Sequence, residues 1–164
     1  MTHPSRLLLI LAAVVLSACS SAARFGDGAG AGAGVGAAVS DPTSPAYFQQ
    51  AVGDRVLFEV NQSSLSPAAR QVLDGQVEWL LTNTDYDAVI EGHADERGTR
   101  EYNVALGARR ANSVQEYLVS KGVAASRLRT VSYGKERPIA LCSEESCYNE
   151  NRRAVTVISA GPSS

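Results

Sequence analysis

The nine residues Glu91-Gly-His93-Ala-Asp95-Glu96-Arg97-Gly-Thr99 gather acids, a base and an imidazole in one short stretch. Glu91, His93 and Asp95 share strand parity, so an extended backbone would send their side chains to one face. Oxygen and nitrogen donors so placed are the types a metal site uses. Against that, His93 is the one histidine beyond the first 18 residues, and no second imidazole is available to complete a site. The plainer alternative puts Glu91 and His93 on a partly wet sheet edge and Asp95 in a turn. No metal is expected. Catalysis has little to stand on either. No Ser or Cys lies in a recognisable nucleophile motif. The adjacent carboxylates Asp95/Glu96 and Glu144/Glu145 are neighbours in sequence, which is not the facing geometry of a glycosidase. A metal-dependent enzyme is the competing reading from another class, and stoichiometric metal in the purified protein would be its mark.

A second charge is out of place. At 100° per residue, Tyr102, Leu106, Val114, Tyr117 and Leu118 form one broad helical face. Arg110 projects near its middle with Asn103 close by, while Arg109 sits at the edge. An inward arginine is costly unless it meets a fixed anion. A buried salt bridge or a guanidinium snorkelling to the surface would explain it without any ligand.

The elements that must position these charges alternate. Val56, Phe58 and Val60 alternate with Arg55, Leu57 and Glu59, which predicts a strand with one buried face. Ser66-Pro67 is a helix start, with a capping hydroxyl followed by proline at the first helical position. Ala69, Val72, Leu73, Gln76, Val77, Leu80 and Leu81 follow at mostly three- and four-residue steps, giving that helix one inward face. A second strand begins at Ala88-Val89-Ile90, and a second helix runs from about Arg100 to Lys121, stopped by Gly122. Leu128 to Tyr133 and Ala154 to Ile158 are the remaining strands. Strand and helix in alternation predict a sheet with helices packed on one face.

The N-terminal part reads differently. Residues 1–18 carry Arg6, the apolar run Leu7 to Leu16 and then small residues, the three-part form of an export signal. That run is shorter than the roughly 20 residues a bilayer crossing needs. Leu16-Ser17-Ala18-Cys19 resembles a bacterial lipobox, which makes Cys19 the acylated N-terminus of the mature chain. Ser20 in place of aspartate favours the outer membrane, with the domain facing the periplasm. From Ser20 to Pro45 the chain is mostly Gly, Ala and Ser, with little to bury, and reads as a flexible tether. A Gly-rich segment of that length spans about 25–30 Å on average and roughly 90 Å when taut. The folded domain is expected over 46–160, with a short tail over 161–164. A net charge of −2 on 164 residues gives no electrostatic reason to expect nucleic acid.

Five segments then carry a resemblance. They are Glu91 to Thr99, Glu101-Tyr-Asn103, Leu106-Gly-Ala-Arg-Arg-Ala111, Val131-Ser-Tyr-Gly-Lys-Glu-Arg-Pro138 and Asn151-Arg-Arg-Ala-Val155. In this order they resemble the OmpA-like C-terminal domain family, and within it the lipoproteins that bind the cell wall. The resemblance implies an α+β fold, a βαβαββ two-layer sandwich with a four-stranded mixed sheet and helices on one face. It implies non-covalent binding of the diaminopimelate residue in the peptidoglycan stem peptide, with no cofactor. Asp95 would take the ligand's ammonium and Arg110 would sit by a carboxylate, with Asn103 beside it. Asn61, Arg97 and Leu106 occupy positions that approach the ligand largely through backbone groups. The implied role is a tether between outer membrane and wall within the Tol-Pal system in cell division, with TolB and other Tol proteins as partners and outer-membrane lipid holding the acyl chains. The alternative is a wall-binding lipoprotein outside the Tol system. Two departures stand out. The first strand ends Phe58-Glu-Val60-Asn61 where the family usually has Phe-x-Phe-Asp, and Cys142 and Cys147 lie in a loop usually without cysteines. In an oxidising periplasm these two would close a small disulfide, which accounts for the odd count once Cys19 is lipidated; two free thiols are the alternative.

Overall fold

The computed structural model describes residues 40–161. The leader over 1–18, Cys19 and the chain up to residue 39 lie outside them, as do residues 162–164. Packed structure begins earlier than the sequence suggests. The tether was expected to reach Pro45, yet the buried Trp79 donates its indole N–H to the carbonyl of Pro42 (2.8 Å). A buried indole needs an acceptor, and this segment supplies it. Ser44 then accepts from the backbone of Tyr47 and caps a short helix α1 (Pro45–Tyr47), which runs into a wide turn over Phe48–Gly53.

Strand β1 is Arg55–Leu57, shorter than the alternation predicts. Val56 and Phe58 are buried, but Val60 is 42% exposed, against the expectation that it shares their face. The chain leaves the sheet after Phe58, and Gln62 closes a turn back onto the carbonyl of Glu59 (3.1 Å). Asn61 takes a left-handed backbone in that turn (φ 55°), a conformation asparagine tolerates better than most residues. Helix α2 (Pro67–Thr82) starts on the Ser66 cap and buries Ala69, Leu73, Gln76, Val77, Trp79 and Leu80. Val72 is half-buried and Leu81 is exposed, because Trp79 takes the inward place instead. The buried amide of Gln76 is satisfied at both ends, donating to the carbonyl of Gly53 and accepting from Thr156.

Strand β2 (Tyr86–His93), helix α3 (Arg100–Ser120), strand β3 (Leu128–Gly134), helix α4 (Glu145–Asn151) and strand β4 (Arg153–Ala160) complete the chain. Thr99 caps α3, and Gly122 follows it with φ 106°, the left-handed position a helix stop requires. The short helix α4 carries no clear period in the sequence and was not anticipated. The sheet order is β1-β4-β2-β3, with β2 parallel to β3 and β4 antiparallel to both its neighbours. This is the expected four-stranded mixed sheet. Both long helices lie on the same face. Thr156 reaches Gln76 of α2, and Gly92, in register with Ala154 on that face, meets Gly107 of α3. A Cβ at Gly92 would fall 1.8 Å from the Gly107 carbonyl, so the two glycines are what let helix and strand touch. Between the layers sit Phe48, Leu73, Leu80, Ile90, Val114 and Leu118, each worth about 1.5–3 kcal/mol when fully buried.

Candidate ligand-binding site

The charged site lies where β2 ends. Past a bulge between Gly92 and His93 the chain turns through Ala94 to Thr99 into α3. That loop is fastened from two sides. Asn103 on the first turn of α3 donates to the carbonyl of Arg97 (2.8 Å), and the Lys135 ammonium donates to the carbonyl of Gly98 (2.8 Å). Asp95 is nearly buried at its base. Its Oδ2 accepts from Arg97 Nη2 (2.7 Å) and from Arg152 Nη1 (3.3 Å), and its Oδ1 accepts from the backbone of Arg97. Burial pushes the Asp95 carboxyl up, but those hydrogen bonds outweigh it and hold the group below its ordinary value. The hydrogen bond to Asp95 raises the Arg97 pKa in turn.

Glu145 closes the figure. Its Oε2 lies 3.4 Å from Arg97 Nη1 and its Oε1 2.7 Å from Arg152 Nη2. Asp95, Arg97, Glu145 and Arg152 therefore form a ring of alternating charge with no net excess. The ring is unevenly buried, with Arg152 and Asp95 at 3% and 10% side-chain exposure and Arg97 and Glu145 at 44% and 61%. Helix α4 is clamped onto the loop beside it. Glu96 accepts from Ser143 and from the Tyr148 hydroxyl (both 2.9 Å), and the Arg97 guanidinium lies 4.6 Å over the Tyr148 ring. Cys142 and Cys147 are bonded to each other, so Glu145 sits inside a disulfide-closed turn.

Arg110 lies behind the ring and is fully buried. Its partners are neither the anion nor the solvent that an inward arginine suggests. The guanidinium donates to three backbone carbonyls, Gln62 (2.8 Å), His93 (2.7 Å) and Glu59 (3.1 Å), and lies 5.2 Å over the Phe58 ring. Burial pulls its pKa down to about 10, opposed chiefly by the nearby Asp95 charge. It thus ties the β1–α2 turn to the end of β2. Asn61 reaches the site at the rim of that turn, accepting from the Tyr102 hydroxyl of α3 (3.3 Å). Leu106 is buried on α3 between Asn103 and Arg110. Asn61, Asp95, Arg97, Asn103, Leu106 and Arg110 are thereby brought to one end of the sheet, on two loops and one helix.

Glu91 and His93 do come together, with Oε2 3.6 Å from Nε2. Asp95 turns away from them to its arginines, so the three donors do not converge. Among the described residues no group of three or more His, Cys, Asp or Glu could hold a metal ion. The His93 ring packs 5.6 Å from that of Tyr133, and its nitrogens have no hydrogen-bond partner among the described residues. Burial, then the charges of Arg153 and Arg137, lower its pKa to about 4. Residue-by-residue reading assigned no role to Arg152, Glu145 or Tyr148. Arg152 stands in the Asn151-Arg-Arg segment, but two adjacent arginines at a strand entry, both of them buried, carry no sign of which one reaches Asp95. A separate groove of about 460 Å³ runs along β1 and the start of α2, lined by Val56, Leu57, Val72 and Ile139, and includes none of these charges.

The OmpA family model matches residues 57–152, and the chain belongs to the OmpA family. Over 163 residues it is 45% identical to the peptidoglycan-associated lipoprotein of Mesorhizobium japonicum, covering 99% of this chain and 96% of that one. It is 52% identical over 122 residues to the peptidoglycan-associated lipoprotein of Rhizobium meliloti, covering 74% and 69%. Among solved structures, the peptidoglycan-associated lipoprotein from Burkholderia pseudomallei superposes with a TM-score of 0.66 at 35% identity, over 74% of this chain and 98% of that one. Among the described residues no helix is long and apolar enough to cross a membrane.

Proposed function

We propose that this chain is an envelope lipoprotein whose folded part binds peptidoglycan without covalent attachment, a binding rather than a catalytic role. Cys19 is the acylated anchor in the outer membrane, and the tether lets the domain reach the wall beneath it. The diaminopimelate residue of the stem peptide, with an ammonium and carboxylates on one short side chain, is the ligand. The observation that carries the reading is Asp95 at the base of the loop, a carboxylate kept ionised by two guanidiniums at the end of the sheet where the other expected ligand residues gather. Names and lengths of the relatives support the same role, as does a site that balances both signs of charge for a zwitterionic group.

The test is co-sedimentation of the purified chain with insoluble peptidoglycan. Asp95→Asn keeps the side chain's shape and removes its charge. Loss of sedimentation with an unchanged circular dichroism spectrum is the expected result. An Asp95→Asn variant that sediments as the parent does would overturn the assignment. Participation in the Tol-Pal system is the finer part of the proposal, supported by the Val131 to Pro138 segment. Capture of TolB by the immobilised chain is expected, and its absence would leave a wall-binding lipoprotein outside that system.

A further inference from the structure

We infer that the Cys142–Cys147 disulfide positions the wall-binding loop, acting through Ser143 and Tyr148 on Glu96, so that affinity for the wall depends on the bridge being closed. The inference rests on the wall-binding reading above, in which the loop over 94–99 carries Asp95, and adds to it what keeps that loop in place. Asn103 and Lys135 hold the loop by the carbonyls of Arg97 and Gly98. The Glu96 side chain, next to Asp95, is held instead by the segment that follows β3. Its carboxylate accepts from Ser143 and from the Tyr148 hydroxyl, and the Tyr148 ring packs against the Arg97 guanidinium.

That segment has little of its own to hold it. Helix α4 is seven residues long, shorter than the roughly 12 an isolated helix needs in water. No side chain caps its start, and Asn151 at its far end is its one buried residue. Asn151 fastens that end, accepting from the amides of Ile139 and Ala140 and donating to the Ala140 carbonyl. At the start of the helix, Glu145 is tied to Arg97 and Arg152 by ion pairs, but it is 61% exposed and water competes for them. The covalent tie there is the disulfide, which joins Cys147 in the first turn to Cys142 ahead of it. Ser143 lies inside the bridged turn and Tyr148 directly follows it, so the bridge places both groups that reach Glu96. With the bridge open, the first turn of α4 frays and the link to Glu96 is made in a smaller fraction of molecules. Apparent affinity falls with the fraction in which the loop is held ready to bind. Cys142 and Cys147 are thus positioning residues.

The test compares the whole chain with Cys142→Ser/Cys147→Ser, with Glu96→Ala and with all three changes together. Each is titrated in co-sedimentation with insoluble peptidoglycan. The serine pair is expected to bind roughly three- to tenfold more weakly, with an unchanged circular dichroism spectrum. Glu96→Ala should weaken binding by a similar or smaller factor. Both changes undo the same link, so adding Glu96→Ala to the serine pair should cost less than roughly a further 1.5-fold. Excess dithiothreitol leaves the parent with two thiols as the reagent closes to its own cyclic disulfide. That treatment should reproduce the serine pair, and reoxidation should restore the parent. Cys19 is the remaining cysteine, so no other bond within the chain is opened. A bridge that is only structural lowers the unfolding midpoint and leaves affinity unchanged. If Glu96→Ala or the reduced parent binds as the untreated parent does, or if the separate effects multiply, the inference fails while wall binding stands. If the parent itself does not sediment, both fall together.

Discussion

Arg97 and Arg110 serve the same loop in opposite ways. Arg110 is fully buried, donates to three main-chain carbonyls, and has its pKa lowered to about 10 by that burial. Arg97 is half in solvent, faces two carboxylates and an aromatic ring, and has its pKa raised. Carbonyl oxygens are dipoles bound to the backbone, so an arginine held by them organises chain segments. Carboxylates on side chains are partners that a ligand can imitate. The first arginine frames the loop, and the second presents its charge at the surface. Their exposure decides which is which.

The comparison breaks most readily at Arg110. Arg110→Ala leaves three carbonyls without their donor and opens a cavity beside Phe58, and is expected to destabilise the domain by about 3–5 kcal/mol in urea unfolding. A loss of binding without a loss of stability would instead make Arg110 a ligand group. The next effect comes from His93, whose carbonyl is one of Arg110's partners. Its folded-state pKa lies near 4, below the ordinary 6.5, so between those values the unfolded chain takes up a proton that the folded one refuses. Stability from this group is fully present above about pH 6.5 and is lost as pH falls toward about 4, by up to about 3 kcal/mol. His93→Leu should flatten that slope, and a parent curve level from pH 6.5 to 4 would contradict it. The smallest effect is at Arg97. Arg97→Ala is expected to leave the unfolding midpoint essentially unchanged and to weaken peptidoglycan binding roughly two- to fivefold. A large drop in stability there would erase the distinction between the two arginines.

Local rules made much of the fold legible. Ser66-Pro67 and Gly122 mark helix ends through hydrogen bonds or backbone angles confined to a few residues, and the structure places the start of α2 and the end of α3 where those signals lie. Alternation failed at Val60 because a turn, not the strand's own pattern, ended β1. Leu81 and Trp79 exchanged roles because the indole found its acceptor at Pro42, far away in sequence. Helix α4 escaped notice because seven residues bounded by a disulfide need no amphipathic period of their own.

Composition, periodicity and ordered motifs thus determined the order of the four strands and two long helices, the family and the end of the sheet where charge collects. Those properties depend on neighbours within a turn or two, which a linear chain displays. Tertiary structure alone decided that Arg110 meets carbonyls, that Arg152 turns in to Asp95, and that Glu145 completes the ring. Each is a pairing between distant segments, and its energy depends on burial and distance, which exist only once the sheet has brought β1, β2 and α4 together.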